Sequence, residues 1–580
     1  MKRHTEVTIW ADRIERGKKL RKKKLKDARV FIDYYKGKQW GELKYPLGYK
    51  TIINLIFPHI KTQLPSLYFQ NPKWFVNALN IQQDGESADI AEKFLNYYVK
   101  YNMKTQLKKQ IRLAIMDAIF WFGAIKSGYI ADIESNKNFG MPKILGYEGE
   151  TPIYDFDING EVKIDKNEEN VKNEKFVAIR KSPAAFIFDT EGDNCFEEGR
   201  YIIEEIIKPY DEVLKNKKYS NTKGLEATFI TKIGLNDIDE KTLKTDEYRE
   251  LYDDLKRIVL YEIYDLDNNK LKVVAEGGEK FLRDDDMPES IDRHPYSFLV
   301  FNTIPDEIYP ISDIDPLRQI QDNFNIERGL ILEHAKRDGR KYGYIEGMID
   351  DDEMEKLKSP EDGTLFKVKE LPLGKCIEPL ADAPLDPTVY ASFGQSKEDF
   401  REVGGSTESE RGVVERRKTA YEASKINEGV GLRKADRRSL VEDFSADVGH
   451  KLVTSMQANM ESETTMPEGE TVNQNKNQGK FKVSVEVGSC APKIPEFERQ
   501  DIVALLQTLP MFPQEMVQVT VNFGGLLKAV ARSFDTMEES ELINTPEDQK
   551  RIQGQIDQMK QVELAIKSGI DKKGQTNAPV

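Results

Sequence analysis

Cysteine is scarce: Cys195, Cys376 and Cys490 are the only three in 580 residues, far apart and without CxxC spacing. That excludes a disulfide framework and a thiolate zinc site, suits a reducing compartment, and reads the three as small buried apolar residues. Histidine is scarce too. None of His4, His59, His294, His334 and His450 lies beside a nucleophile, and HExxH and GxSxG are absent, so neither zinc-protease nor serine-hydrolase chemistry has a foothold; His334 reads as a packing or polar contact. GxxxxGK[ST] is missing, which removes the phosphate-cradling loop of an NTPase motor. No run of eighteen apolar residues occurs, so no membrane-spanning helix is expected. The N-terminal stretch lacks the apolar core of a signal peptide, which predicts a chain that stays inside the cell that makes it. Tryptophan is rare but concentrated: Trp10, Trp40, Trp74 and Trp121 all lie in the first fifth, predicting a core there.

Charge is abundant. Lys and Arg total 86 against 100 Asp and Glu, a net −14, with mean hydropathy −0.60. Such a chain does not cling to nucleic acid, since phosphate affinity comes from basic side chains, yet it leaves room for a surface past which DNA slides. One basic run, GKKLRKKKLK over Gly17–Lys26, reads as the solvated or frayed face of an N-terminal helix. Acidic runs invite a metal reading. DLDNNKLKVVAE, Asp265–Glu276, matches several calcium-loop positions but carries Lys270 where the sharp turn needs glycine, so it reads as a β-turn. RDDDM (Arg283–Met287) and IDDDEME (Ile349–Glu355) lack histidine partners and read as surface or as a patch for a partner.

At 580 residues the chain can hold several cores, and its pattern is α+β. A long helical pattern runs from Ser87 to about Gly123. From Lys143 to Val300 short alternating runs such as KFVAIR, RIVLYEIYDL and NKLKVVAEGG predict β-hairpins. A helix follows: Ser312 and Asp315 have capping-box spacing, Asp315–Pro316 offers a second start, and Leu317, Ile320, Phe324, Ile331 and Ala335 form a thin apolar stripe. Arg318, Gln319, Asp322, Asn323, Asn325, Glu327 and Arg328 make the rest of its surface, so one side is expected to be buried and the other wet. Residues 342–384 predict a small module of strands with one short helix, and Asp386–Pro387 starts a returning helix through Val389, Phe393 and Phe400 to Val403. A Gly/Ser-rich charged loop over 404–419, a helix over 420–460, a strand in KFKVSVEVG and C-terminal helices complete the pattern, the last capped by Thr545, Pro546 and Asp548.

The run HPYSFLVFNTIPDEIYPISDIDPLRQIQDNFNIERGLILEHAKR resembles the signature region of tailed-bacteriophage portal proteins. YYKGKQW with NLIFPHI, DAIFWFGAIKSGY, KSPAAFIFDTEG and KTAYEASKINEGVGLRKADRRSLVEDF agree in the expected order, so that the resemblance spans about Phe31 to Phe534. It implies a non-enzymatic ring, usually of twelve subunits, at one capsid vertex, through which DNA enters and leaves. The implied parts are a wing over 1–309, a stem helix over 310–341, a clip over 342–385, a returning stem helix over 386–403, a tunnel loop over 404–418, a long wing helix and strand over 419–493, a helical crown over 494–569 and a disordered tail over 570–580. Implied partners are double-stranded DNA in transit, the terminase large subunit, major capsid and scaffolding proteins, and head-completion or tail adaptors. No cofactor or metal is expected, and the setting is a virion assembled in host cytoplasm. Glu408, Glu410, Arg411, Glu415, Arg416, Arg417 and Lys418 would be the channel-side loop residues, with weak, salt-sensitive contacts independent of base sequence; Asp350, Asp351, Asp352 and Glu353 would face the terminase. Twelve copies at −14 total about −170, a field that repels phosphate. Two other readings remain open: a metal-dependent nucleic-acid-processing enzyme using the acidic clusters, and a scaffold assembled through the long helices.

Overall fold

In the computed structural model the chain divides into two units, Met1–Ala491 and Pro492–Val580. The structure describes most of residues 5–490, leaving aside chiefly 41–49, 155–161, 228–255, 359–366, 368–376, 381–384, 406–419 and 473–476, together with nearly all of 491–580. The crown and tail expected over 494–580 and the caps at Thr545, Pro546 and Asp548 lie outside the described residues, as do Cys195 and Cys376.

Helix α1 (Glu6–Tyr35) is followed by α2 (Ile56–Leu67), strand β1 (Trp74–Ala78), α3 (Ile81–Tyr98) and α4 (Lys104–Phe120). The unbroken helix expected from Ser87 starts earlier, ends at Phe120 and is interrupted by a π-turn at Val99–Met103. The cause is the period of its buried side chains, Leu95, Val99, Met103, Leu107, Ile111 and Ile115, which recur every four residues. In a helix of 3.6 residues per turn that row drifts by about 40° per step; the wider π-turn takes up the drift. Past Phe120 the chain turns because Trp121 and Phe122 enter an aromatic cluster, Trp121 at 5.1 Å from Tyr309 and Phe122 at 4.9 Å from Phe196.

The expected hairpin region forms two main antiparallel sheets. β2 (Gly123–Ser135) lies between β11 (Tyr296–Leu299) and β5 (Glu169–Lys181). The second sheet has the order β10 (Phe281–Asp286), β9 (Lys270–Ala275), β8 (Arg257–Asp265), β7 (Tyr201–Pro209) and β6 (Phe186–Phe188). Short hairpins pair β3 (Ile144–Glu148) with β4 (Thr151–Tyr154) and β14 (Thr464–Thr465) with β15 (Thr471–Val472). Asp265–Glu276 is the end of β8, a β-turn over 266–269 and β9: the Asp265 carboxylate accepts from Asn268 across the turn and pairs with Lys272 of β9. The acidic Asp284, Asp285 and Asp286 are exposed.

The N- and C-terminal parts of this unit close on each other where β1 pairs with β16 (Phe481–Val485). The 40-residue helix over Ala420–Asn459 packs behind them; Gly449 sits under the Trp74 ring, where an added Cβ would overlap it, and Trp74 Nε1 donates to Ser445 O at 2.9 Å. The tryptophans do not share one core. Trp74, Trp121 and Trp10 belong to three different clusters, and Trp40 is half-buried. Cys490 is buried, as expected of a small apolar residue.

A charged joint ties the two sheets together. Lys126 of β2 donates to Glu204 of β7 at 2.8 Å and to Glu262 of β8 at 2.5 Å; Lys181 of β5 reaches Glu204 at 2.6 Å, and Tyr296 donates to it at 2.6 Å. Burial pushes the Glu204 carboxyl up, but the two ammonium groups outweigh it and hold it down at about 2. Nearby, burial and then Lys451 push His294 down to about 3, with Arg293 acting the same way and Asp447 opposing. A histidine neutral in the fold and ordinarily near 6.5 in the unfolded chain contributes stability that is fully present above 6.5 and is lost as pH falls toward 3. Asp117, raised by burial to about 6 despite Arg180, acts oppositely between 6 and 3.8. Between pH 6 and 4 the two contributions offset each other in the wild type, each about 1.4 kcal/mol per pH unit, so the test is the difference between variants: as pH falls from 6.5 to 4 the thermal midpoint of His294→Gln should rise relative to that of the wild type; parallel profiles would contradict this.

Candidate channel helices and docking module

The helix expected from Ser312 and Asp315 onward forms as α6 (Asp315–Arg337), after the short α5 (Tyr210–Lys215). Its start is tied down differently from a capping box: the Ser312 hydroxyl donates to Ile119 O at 2.9 Å and accepts from Ile314 N at 3.1 Å. Beside it the buried Asp313 carboxylate accepts from Arg437 at 2.5 and 2.9 Å and from Asn302 at 2.6 Å. The end of α4, the chain leaving β11 and the long helix therefore meet at one point.

Leu317, Phe324 and Ile331 are buried as expected, but Ala335 is exposed. The supposed wet side is wet only in part. Gln321 is 0% exposed and Asn325 2%. Gln321 accepts from Leu55 N at 2.8 Å and donates to Ile53 O at 2.9 Å; Asn325 accepts from Ile53 N at 3.0 Å and donates to Gln39 Oε1 at 2.5 Å. These amides serve the backbone of 53–55 much as a neighbouring strand would. Asp322 accepts from Tyr34 at 2.6 Å and Arg318 lies over the same ring. Gln319 and Asn323 remain exposed.

Past α6 the chain forms β12 (Lys341–Tyr344), the short α7 (Asp351–Lys358) and β13 (Ile377–Leu380), with β12 and β13 antiparallel. It returns as α8 (Pro387–Gly404), started by Asp386 accepting from Thr388 N at 2.9 Å. The two helices run antiparallel: Phe393 stacks on Phe324 at 4.4 Å, while Phe400 shares a cluster with Leu317. Glu327 accepts from Ser392 at 2.5 Å and from Ser396 at 2.8 Å. At the far end of α8 the His59 ring closes over Gly404, where an added Cβ would come within 2.9 Å. The long helix Ala420–Asn459 is α9.

Asp350, Asp351 and Asp352 are exposed at the start of α7, where carboxylates complement the helix dipole. Successive helical positions point about 100° apart, so three consecutive aspartates do not converge on one ion, and no group of three metal-ligating side chains forms among the described residues. Glu353 folds back, accepting from Lys356 at 2.7 Å and Lys367 N at 3.0 Å. Glu408, Glu410, Arg411, Glu415, Arg416, Arg417 and Lys418 lie outside the described residues. His334 is half-buried. Sequence reasoning missed the Gln321–Asn325 pair and the Asp313–Arg437 contact. The first had a signal: Leu317, Gln321 and Asn325 fall four apart, in one row.

An out-and-back helix pair carrying a small α/β module and followed by a long helix is thus in place. The model of the phage SU10 portal protein family matches residues 135–568, about three quarters of the chain, and the chain belongs to that family. No individual curated protein gives a significant match.

Gln321→Leu should leave Ile53 O and Leu55 N without partners, at about 1–3 kcal/mol per orphaned group. A clear drop in thermal midpoint is the expected result; an unchanged midpoint would contradict the burial of this pair.

Proposed function

We propose that the chain is the subunit of a ring, usually of twelve copies, at one capsid vertex, through which double-stranded DNA is packaged and ejected. In this reading α6 and α8 are the stem that lines the channel, β12–α7–β13 is the clip, residues 404–418 are the tunnel loop, α9 crosses the wing, and 494–569 are the crown. The observation that carries it is the antiparallel α6–α8 pair, anchored at one end through Asp313–Arg437 and His59–Gly404 and bearing the module at the other. Support also comes from the exposed residues of the pair. Gln319, Asn323 and Gln395 are neutral, Arg401 is paired with Glu398 at 2.7 Å, and the exposed lysines described on the pair, Lys336 and Lys397, are isolated from each other in sequence, so a passing polyanion finds few fixed cations to stop it.

The tunnel-loop charges Glu408, Glu410, Arg411, Glu415, Arg416, Arg417 and Lys418 mix three acids with four bases, which suits weak backbone contacts without base preference. Asp350, Asp351 and Asp352 present an acidic face, with Glu353 beside them already held by Lys356 and Lys367 N, for the terminase large subunit during packaging and for head-completion or tail adaptors afterwards. ATP hydrolysis belongs to the terminase, and the portal itself performs no chemistry. Capsid and scaffolding proteins are the partners at the rim.

Negative-stain electron microscopy of the purified protein tests this. Closed rings of about a dozen subunits around a hole wide enough for B-form duplex are expected; a species that stays monomeric across concentration and salt, and with scaffold supplied, would overturn it. Asp350→Lys, Asp351→Lys and Asp352→Lys together should abolish co-sedimentation of rings with terminase while rings persist. Unchanged co-sedimentation would remove the clip assignment.

A further inference from the structure

The basic run Gly17–Lys26 is neither frayed nor uniformly solvated. It lies in the middle of α1, and Trp10, Ile14, Gly17, Arg21 and Ala28 form the buried edge of that helix. Gly17 lets the helix approach β6 so closely that an added Cβ would overlap Ile187. That contact fixes the rotation of the helix and splits the run in two. On the seated side Lys18 pairs with Glu276 at 2.9 Å, Arg21 with Glu205 at 2.5 Å and Lys24 with Glu307 at 2.8 Å. Lys19, Lys22, Lys23 and Lys26 all point outward and are exposed. Lys19 reaches only Glu15, one turn back and itself exposed; Lys22, Lys23 and Lys26 form no ion pair among the described residues, Lys23 acting on Glu307 only from a distance, as the weaker neighbour after Lys24.

We infer that this outward lysine stripe is a phosphate-contacting surface for double-stranded DNA, separate from the α6–α8 pair. The inference rests on the DNA-conducting reading above. Lys19 to Lys26 covers about 10 Å of helix axis, the axial rise of about three nucleotides of one strand. Lysine ammonium groups are compact point charges that grip phosphate without reading bases. The face between Lys19 and Lys26 carries one exposed apolar side chain, Leu20, and no aromatic or arginine, the residues that anchor protein interfaces. On a chain of net −14 such a stripe also localises the contact, because the acidic remainder repels a polyanion.

The test uses the full-length chain and a short labelled duplex of random sequence, with fluorescence anisotropy read between about 50 and 200 mM salt. Lys19→Gln, Lys22→Gln, Lys23→Gln and Lys26→Gln together should weaken binding at least about tenfold and reduce the slope of log affinity against log salt by about 3–4 per bound chain. A control that removes the same charge elsewhere, Lys109→Gln, Lys217→Gln, Lys280→Gln and Lys482→Gln, should lose much less. Equal affinities of the two variants, no duplex binding by the wild type, or displacement of duplex by an equal charge of polyglutamate would each overturn the inference, the last in favour of an acidic polypeptide. Micrographs of the same samples separate the two levels. Rings whose duplex affinity survives the stripe substitutions sink this inference alone; absence of wild-type rings across concentration and salt, and with scaffold supplied, sinks the functional reading.

Discussion

A buried carboxylate must be paired, and in this fold the carboxylate of Asp313 decides where the helix pair begins. It sits at the junction of α4, the chain leaving β11 and the start of α6, and takes both terminal nitrogens of Arg437 from α9 and the amide of Asn302. Removing a buried partner leaves an uncompensated charge, a far larger loss than the pair itself contributes. The arrangement therefore acts as a locator: it places the long helix against the base of α6, and the Ser312 hydroxyl on Ile119 O sets the same point from the other side. Given that anchor, the direction of α6 is set by Gln321 and Asn325 holding the extended backbone at 53–55, and α8 follows by stacking Phe393 on Phe324.

Much of this was legible locally. The starts of α6 and α8 could be read because proline and aspartate act within a turn, and the β12–α7–β13 module because its strands and short helix announce themselves by period and breakers. The α+β class followed from alternation over Lys143–Val300, where β5, β8 and β9 formed as expected. What was not legible depends on partners far away in sequence. Asp313 and Arg437 are 124 residues apart, and the β1–β16 pairing joins the first hundred residues to the last hundred of its unit. Asn325 read as a solvated residue because amphipathic patterning assigns polar side chains to water, whereas a buried amide satisfied by backbone is nearly as stable. The π-turn was hidden because a four-residue period looks helical in every short window.

The two faces of α1 show the same limit with charge. Composition treats GKKLRKKKLK as one basic run, but close packing at Gly17 turns Lys18, Arg21 and Lys24 into structural partners of Glu276, Glu205 and Glu307 and leaves four lysines outward. Charge of either sign is thus sorted by packing. Asp350–Asp352 occupy the first turn of an exposed helix, while Glu204 and Lys126 cement two sheets.

The central claim is that the α6–α8 pair surrounds the path of DNA, and a cryo-electron-microscopy reconstruction of the purified ring tests it most directly. The account predicts α6 and α8 nearest the symmetry axis, with Gln319 and Asn323 on the lumen side of a hole that admits B-form duplex. A ring with this pair on its outer rim, and another element at the axis, would contradict it.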